Sequence, residues 1–161
     1  MIIILMGVAG SGKTTIGTLL SEAIGWTFFD GDDFHPEENI ERMRRGVALT
    51  DNDREIWLDR LHNLVRELNH RGESAILAFS ALRKAYRERV AEGIDGLQFV
   101  YLNGDPALLK QRVKDRKGHY FGAELLGSQF ETLEEPEGIA MVDVAGKPEV
   151  VVAKVRAVLG V

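Results

Sequence analysis

Cysteine is absent from the 161 residues. That removes disulfide frameworks, thiolate nucleophiles and cysteine zinc sites from consideration, and it fits a reducing compartment. Long apolar runs are also missing: the run that opens the chain, Ile2 to Met6, is far below the roughly 20 residues a membrane span needs. It has no basic segment before it, so neither a membrane partner nor a secretory leader is expected, and the cytoplasm is the default location. Basic charge is in short supply. Lys and Arg total 20 against 25 Asp and Glu, and the net charge of −5 has the wrong sign for a nucleic-acid footprint. There is no internal repeat, low-complexity tract or linker rich in Pro or Ser. What remains, 45% hydrophobic and 28% charged, is an ordinary globular composition, at a length that suits one domain, 1–161, with a real core.

Short apolar runs alternate with amphipathic stretches. Candidate strands are Ile2–Met6, Trp26–Phe29, Ala75–Phe79, Gln98–Leu102 and Ile139–Val144. Between about Asn52 and His70, Trp57, Leu61, Leu64, Val65 and Leu68 fall on one helical stripe, and from about Pro148 to Leu159 Val151, Val155 and Val158 repeat in the same way. Strands separated by helices indicate βαβ units, right-handed crossovers, and an α/β fold: a three-layer, doubly wound parallel sheet of about five strands.

The first strand runs into Gly7-Val8-Ala9-Gly10-Ser11-Gly12-Lys13-Thr14, and Thr14 to Ile24 reads as the helix that follows. Strand, glycine-rich turn and helix in this order make a phosphate loop. Backbone N–H groups cradle phosphate oxygens, Lys13 reaches the β- and γ-phosphates, and the Thr14 hydroxyl ligates Mg²⁺. Two further absences narrow its use. The strand Ala75 to Phe79 ends in Ser80-Ala81-Leu82 without the acid of a motor or transport ATPase. Asn103-Gly104-Asp105-Pro106 lacks the Lys and spacing of a guanine-reading loop. A small kinase acting on a small molecule is left, with its acceptor groups beyond the carboxyl ends of the strands.

Those ends are polar. The second strand leads into Asp30-Gly31-Asp32-Asp33-Phe34-His35-Pro36, where Asp30 and Asp32 suit acceptor hydroxyls, the proton of the attacking hydroxyl or water on Mg²⁺. The same residues also read as an Asx-rich turn capping a helix at Pro36. Arg83 and Arg87, four apart after the third strand, would share a helix face and suit a planar carboxylate, or form a solvated basic face. Arg54 has the same two readings. Arg112 and Arg116 precede a stretch, 117–136, with three glycines and three aromatics, read as a lid over the phosphates or else as a surface helical hairpin. Arg116 at its base suits the transferring phosphoryl group; the alternative is a charged helix end complementing the dipole. His119 is a weaker candidate. The adenine is expected near Arg112 and the loop from Val144 to Pro148.

Blocks along nearly the whole chain resemble the gluconokinases, relatives of shikimate kinase among the P-loop kinases. They are Asp30-Gly31-Asp32 with Phe34-His35-Pro36, then Asn39-Ile40, Arg42-Met43, Gly46, Leu49, Asp51, Asp53-Arg54 and Trp57. Ser80-Ala81-Leu82 with Tyr86-Arg87, Tyr101-Leu102, Arg116 to Phe121, and Ser128-Gln129-Phe130-Glu131-Thr132-Leu133-Glu134-Glu135-Pro136 follow in order. The last two blocks are far more specific than the phosphate loop. Phe79 stands where the family often has Cys, and Arg83 where it often has Lys, which keeps the charge but changes the donor geometry.

The resemblance implies transfer of phosphate from ATP to D-gluconate, giving 6-phosphogluconate for the pentose phosphate and Entner–Doudoroff routes, and a homodimer. The nucleotide site would comprise Gly7, Val8, Ala9, Gly10, Ser11, Gly12, Lys13, Thr14 and Thr15 with Arg112 and Arg116. Gluconate would meet Asp30, Asp32, His35, Arg54, Arg83, Arg87 and His119. Lys13, Asp32 and Arg116 are the catalytic candidates. Thr14 with waters would hold Mg²⁺, and Asp32 is a further candidate ligand. A shikimate-type kinase, a nucleoside monophosphate kinase and a non-catalytic nucleotide switch are the rival readings.

Overall fold

The computed structural model describes residues 1–116 and 123–161. Five parallel strands, β1 (Ile2–Met6), β2 (Thr27–Asp30), β3 (Ala75–Ala78), β4 (Leu97–Asn103) and β5 (Ala140–Asp143), form one sheet in the order β2-β3-β1-β4-β5. All five lie within one or two residues of the sequence reading. β1 is central and buried along its whole length, because helices cover both faces of the sheet and leave no polar side for alternation. Ile3 and Leu5 enter one core; Ile2, Ile4 and Met6 enter the other.

The first core is roofed by α1 (Lys13–Ile24), α5 (Pro106–Asp115), α6 (Ala123–Thr132) and α7 (Pro148–Leu159). The second is roofed by α3 (Asp51–His70) and α4 (Lys84–Ala91); α2 (Glu37–Arg44) precedes them. The expected stripe on α3 is there: Trp57, Leu61, Val65 and Leu68 are buried, with Leu64 only partly so. Its start is fixed by a capping box in which Thr50 and Asp53 each satisfy the other's backbone N–H.

α1 starts differently. Gly12 is its left-handed cap residue, no side chain caps the end, and no acid occupies the first turn. Its leading N–H groups are therefore left for an external anion. Because β1 has β3 on one side and β4 on the other, this end opens at the sheet's topological switch point.

Two local expectations are corrected. The acidic turn does not cap the helix after Pro36: Asp30 accepts from the Asp32 N–H at 3.0 Å and caps a short 3₁₀ turn, Gly31–Phe34, instead. Arg83 and Arg87 do not share a helix face either. Arg83 is extended and precedes α4, since the crossover passes through Ala81 at φ 48° before the helix begins.

Candidate active site

The phosphate loop is folded tightly onto its surroundings. Gly10 has φ 80°, and a Cβ there would stand 2.8 Å from the Leu109 carbonyl of α5. Val8, Ala9 and Ser11 are buried, and Ser11 Oγ has no hydrogen-bond partner among the described residues. Lys13 is half-buried overall, but its Nζ donates to the carbonyls of Gly7 at 2.9 Å and Val8 at 3.1 Å. Burial pushes its pKa down to about 8, against the pull of Asp32 and Asp30 and with some help from Arg116.

Register brings the second strand's end beside this loop, with Asp30 opposite Ala78. Thr14 Oγ1 donates to Asp30 Oδ2 at 2.7 Å. Asp30, Asp32, Lys13 and Thr14 line a cleft whose far wall holds His35, Arg54 and Trp57, and whose rim includes Met43, Val47 and Leu49. Gly31 lets this wall close up: a Cβ there would stand 2.6 Å from the Ala78 carbonyl, and Trp57 Nε1 donates to the Gly31 carbonyl at 2.7 Å.

His35 stacks on Trp57, ring centroids 4.2 Å apart and nearly parallel. Burial, helped by Arg54 and Arg60, lowers its pKa to about 4, so it is neutral at physiological pH. Its tautomer follows from Asn39. The Asn39 side-chain atom 2.7 Å from the Asp53 carbonyl must be the amide nitrogen, and the same nitrogen lies 3.3 Å from His35 Nδ1. Nδ1 therefore accepts, and Nε2 carries the proton as a donor.

The three arginines of the acceptor side separate. Arg54 lines the cleft, donates to Tyr86 Oη at 3.1 Å and lies 3.7 Å from Asp51. Tyr86 itself donates to Asp51. Arg83 pairs with Asp51 at 3.3 Å and is not among the cleft's lining residues. Arg87 is buried, and its guanidinium donates to the carbonyls of Ala81 at 2.8 Å, Leu82 at 3.4 Å and Glu134 at 3.2 Å. It braces the crossover, and its donors face backbone.

A second cleft opens across the loop. Gly10, Gly12, Thr15, Arg112, Val144, Gly146 and Pro148 line it, in the region expected for the adenine. Arg112 is held by the Val144 carbonyl at 2.8 Å. Arg116, exposed at the end of α5, lines both clefts. His119 lies outside the described residues. Of the stretch read as a lid, Leu125 and Leu126 of α6 are buried, and Glu134 is bonded to Leu82 and Lys84. Sequence reasoning gave no site role to Asn39, Trp57, Tyr86 or Gln129, which act through partners distant in the chain; they stood out only as parts of the family blocks or of the α3 stripe.

The AAA domain family model matches residues 2–136. A probable gluconokinase of Xenopus tropicalis is 40% identical, over 97% of this chain and 92% of its own length. The crystal structure of a gluconokinase from Sinorhizobium meliloti superposes with a TM-score of 0.87 at 40% identity, covering 98% of this chain and 90% of that one. Shikimate kinase from Aquifex aeolicus matches with a TM-score of 0.60 at 19% identity, covering 99% and 96%, which is a likeness of fold alone. With the phosphate loop, the acidic second-strand end and Arg54 on one cleft, and this identity over nearly its whole length, the chain belongs to the gluconokinase family.

Proposed function

We propose that the protein transfers the γ-phosphoryl group of ATP to the terminal hydroxyl of D-gluconate, giving 6-phospho-D-gluconate and ADP. The observation that carries this, beside the family, is one cleft lined by Lys13, Asp32, His35 and Arg54 together. A linear polyol acid needs hydroxyl partners at one end and a cation at the other. Asp30, Asp32 and the Nε2–H of His35 suit the hydroxyls, and Arg54 is the cleft-lining cation for the carboxylate.

In the reaction, the hydroxyl oxygen attacks the γ-phosphorus in line while the bond to the β-bridging oxygen breaks. Asp32 orients the hydroxyl and takes its proton, and Lys13 and Arg116 offset charge on the phosphoryl oxygens. The uncapped start of α1 and the N–H groups of Gly10 to Thr14 hold the phosphates. Thr14 Oγ1, 2.7 Å from a carboxylate oxygen, gives the hard oxygen environment that suits Mg²⁺, with Asp32 as a second candidate ligand. Held there by Thr14, with Asp32 as the further candidate, the ion would offset negative charge on the transferring phosphoryl group. Arg112 and the Val144–Pro148 loop would flank the adenine, residues 117–136 would cover the phosphates, and His119 would add an acceptor contact. Assembly as a homodimer in the cytoplasm, supplying the pentose phosphate pathway, completes the reading; among the described residues no helix is long and apolar enough to cross a membrane.

An ADP-release assay with gluconate, shikimate, related sugar acids, AMP and CMP tests it. Gluconate is expected to give by far the highest kcat/KM. Preference for shikimate or for a nucleotide would overturn the assignment.

A further inference from the structure

The peptide joining Val8 to Ala9 in the phosphate loop is gripped from both sides. Its carbonyl accepts from Lys13 Nζ at 3.1 Å and from the Ser11 N–H at 3.3 Å. Its N–H donates to Gln129 Oε1 at 2.7 Å, from a side chain 120 residues further along the chain. In a trans peptide these two groups point in opposite directions across one rigid plane. The rotation of the plane therefore decides whether the carbonyl faces Lys13, and Gln129 sets that rotation.

Gln129 is itself well anchored. Leu125 and Leu126, one turn earlier on α6, are buried, Leu126 in the first core. One turn later the chain is bonded to the α4 crossover: the Glu134 N–H donates to the Leu82 carbonyl at 2.7 Å, and Glu134 Oε2 accepts from the Lys84 N–H at 2.9 Å. α5 closes the other side of the loop at Gly10, where there is no room for a Cβ.

We propose that Gln129 is a positioning residue of the phosphoryl-transfer site, acting on Lys13 through the Val8–Ala9 peptide. Without its acceptor the Ala9 N–H loses its partner, the peptide plane is free to turn, and Lys13 loses one of its two carbonyl supports. The loop then presents its lysine less often in the productive place. Gln129 also lines the cleft that holds His35 and Arg54, but its bond runs to the phosphate loop, so the defect is expected chiefly in turnover. The kinetic half of this inference rests on the kinase reading above; the structural half does not.

Two near-isosteric variants test it. Q129M removes the acceptor, and Q129E keeps an acceptor of the same reach. Amide hydrogen exchange in the nucleotide-free protein is expected to show Ala9 protected in wild type and Q129E and at least about 10-fold faster in Q129M. In turnover, Q129M is expected to lose about 10-fold in kcat with the gluconate KM within about two-fold of wild type. Q129E should recover most of kcat, with a higher KM for ATP from its added charge. Equal Ala9 exchange in wild type and Q129M would overturn the inference, as would equal kcat losses in Q129M and Q129E. If wild type fails to phosphorylate gluconate, the functional reading falls and the Ala9 exchange still decides the role of Gln129.

Discussion

Lys13 holds its charge against its surroundings. Burial lowers its pKa from 10.5 to about 8, so in the free protein the ammonium is present below about pH 8 and is lost above it. Because kcat/KM reports the free enzyme, kcat/KM for ATP is expected to be flat below that pH and to fall tenfold per pH unit well above it. In the nucleotide complex, phosphate charge favours the ammonium, so the fall in kcat itself should come at higher pH. Stability moves the other way. Between about pH 8 and 10.5 the unfolded chain binds the proton that folded Lys13 has released, so this residue's contribution raises stability as pH rises through that window. A pH series of kcat/KM and of unfolding midpoints, compared with Lys13→Met, checks both signs; the variant should lack the stability rise. His35, held near a pKa of about 4, contributes no charge change to this profile at neutral pH.

Among the elements, the helix starts divide the labour. α3 satisfies its own first turn with Thr50 and Asp53, while α1 leaves its first turn open behind Gly12. The side chains account for the difference: Thr50 and Asp53 can cap a helix, and Gly12 has no side chain to do so. The central strands and long helices were legible in the sequence: burial on both faces turns β1 and β3 into continuous apolar runs, and burial of one face gives α3 the stripe of Trp57, Leu61, Val65 and Leu68. The α4 crossover was not. Spacing alone put Arg83 and Arg87 on one face, but the positive φ at Ala81 and the carbonyls of Ala81, Leu82 and Glu134 turn Arg87 inward, and a partner 47 residues away leaves no local trace. The consequence is measurable. Arg87→Ala strips a buried donor from three carbonyls and is expected to cost about 2–4 kcal/mol in urea unfolding, with gluconate KM near wild type in whatever remains folded. Arg54→Ala, at a residue facing the cleft, should raise gluconate KM at least about 10-fold with a much smaller loss of stability.

Across the whole molecule, the central strand serves two cores and the site lies where they meet. The half proposed for the donor, comprising the phosphate loop, Arg112 and Arg116, is backed by the core under α1, α5, α6 and α7. The half proposed for the acceptor, with His35, Arg54 and Trp57, is backed by the core under α3 and α4. Ligands that bind only the folded state stabilise it by mass action, by about 2.7 kcal/mol at a hundred times Kd. For a chain of this length that corresponds to a rise in Tm of roughly 5–10 °C. Because the halves rest on separate elements, each ligand should produce its own shift: a non-hydrolysable ATP analogue through the first, gluconate through the second. Lys13→Ala is then expected to abolish most of the nucleotide shift and keep the gluconate shift, and Arg54→Ala to do the reverse. Thermal melts of the two variants with each ligand alone make the comparison without any turnover. Loss of both shifts in either variant would mean that the two walls of the cleft form only as a unit, in conflict with a site assembled from two independently supported halves.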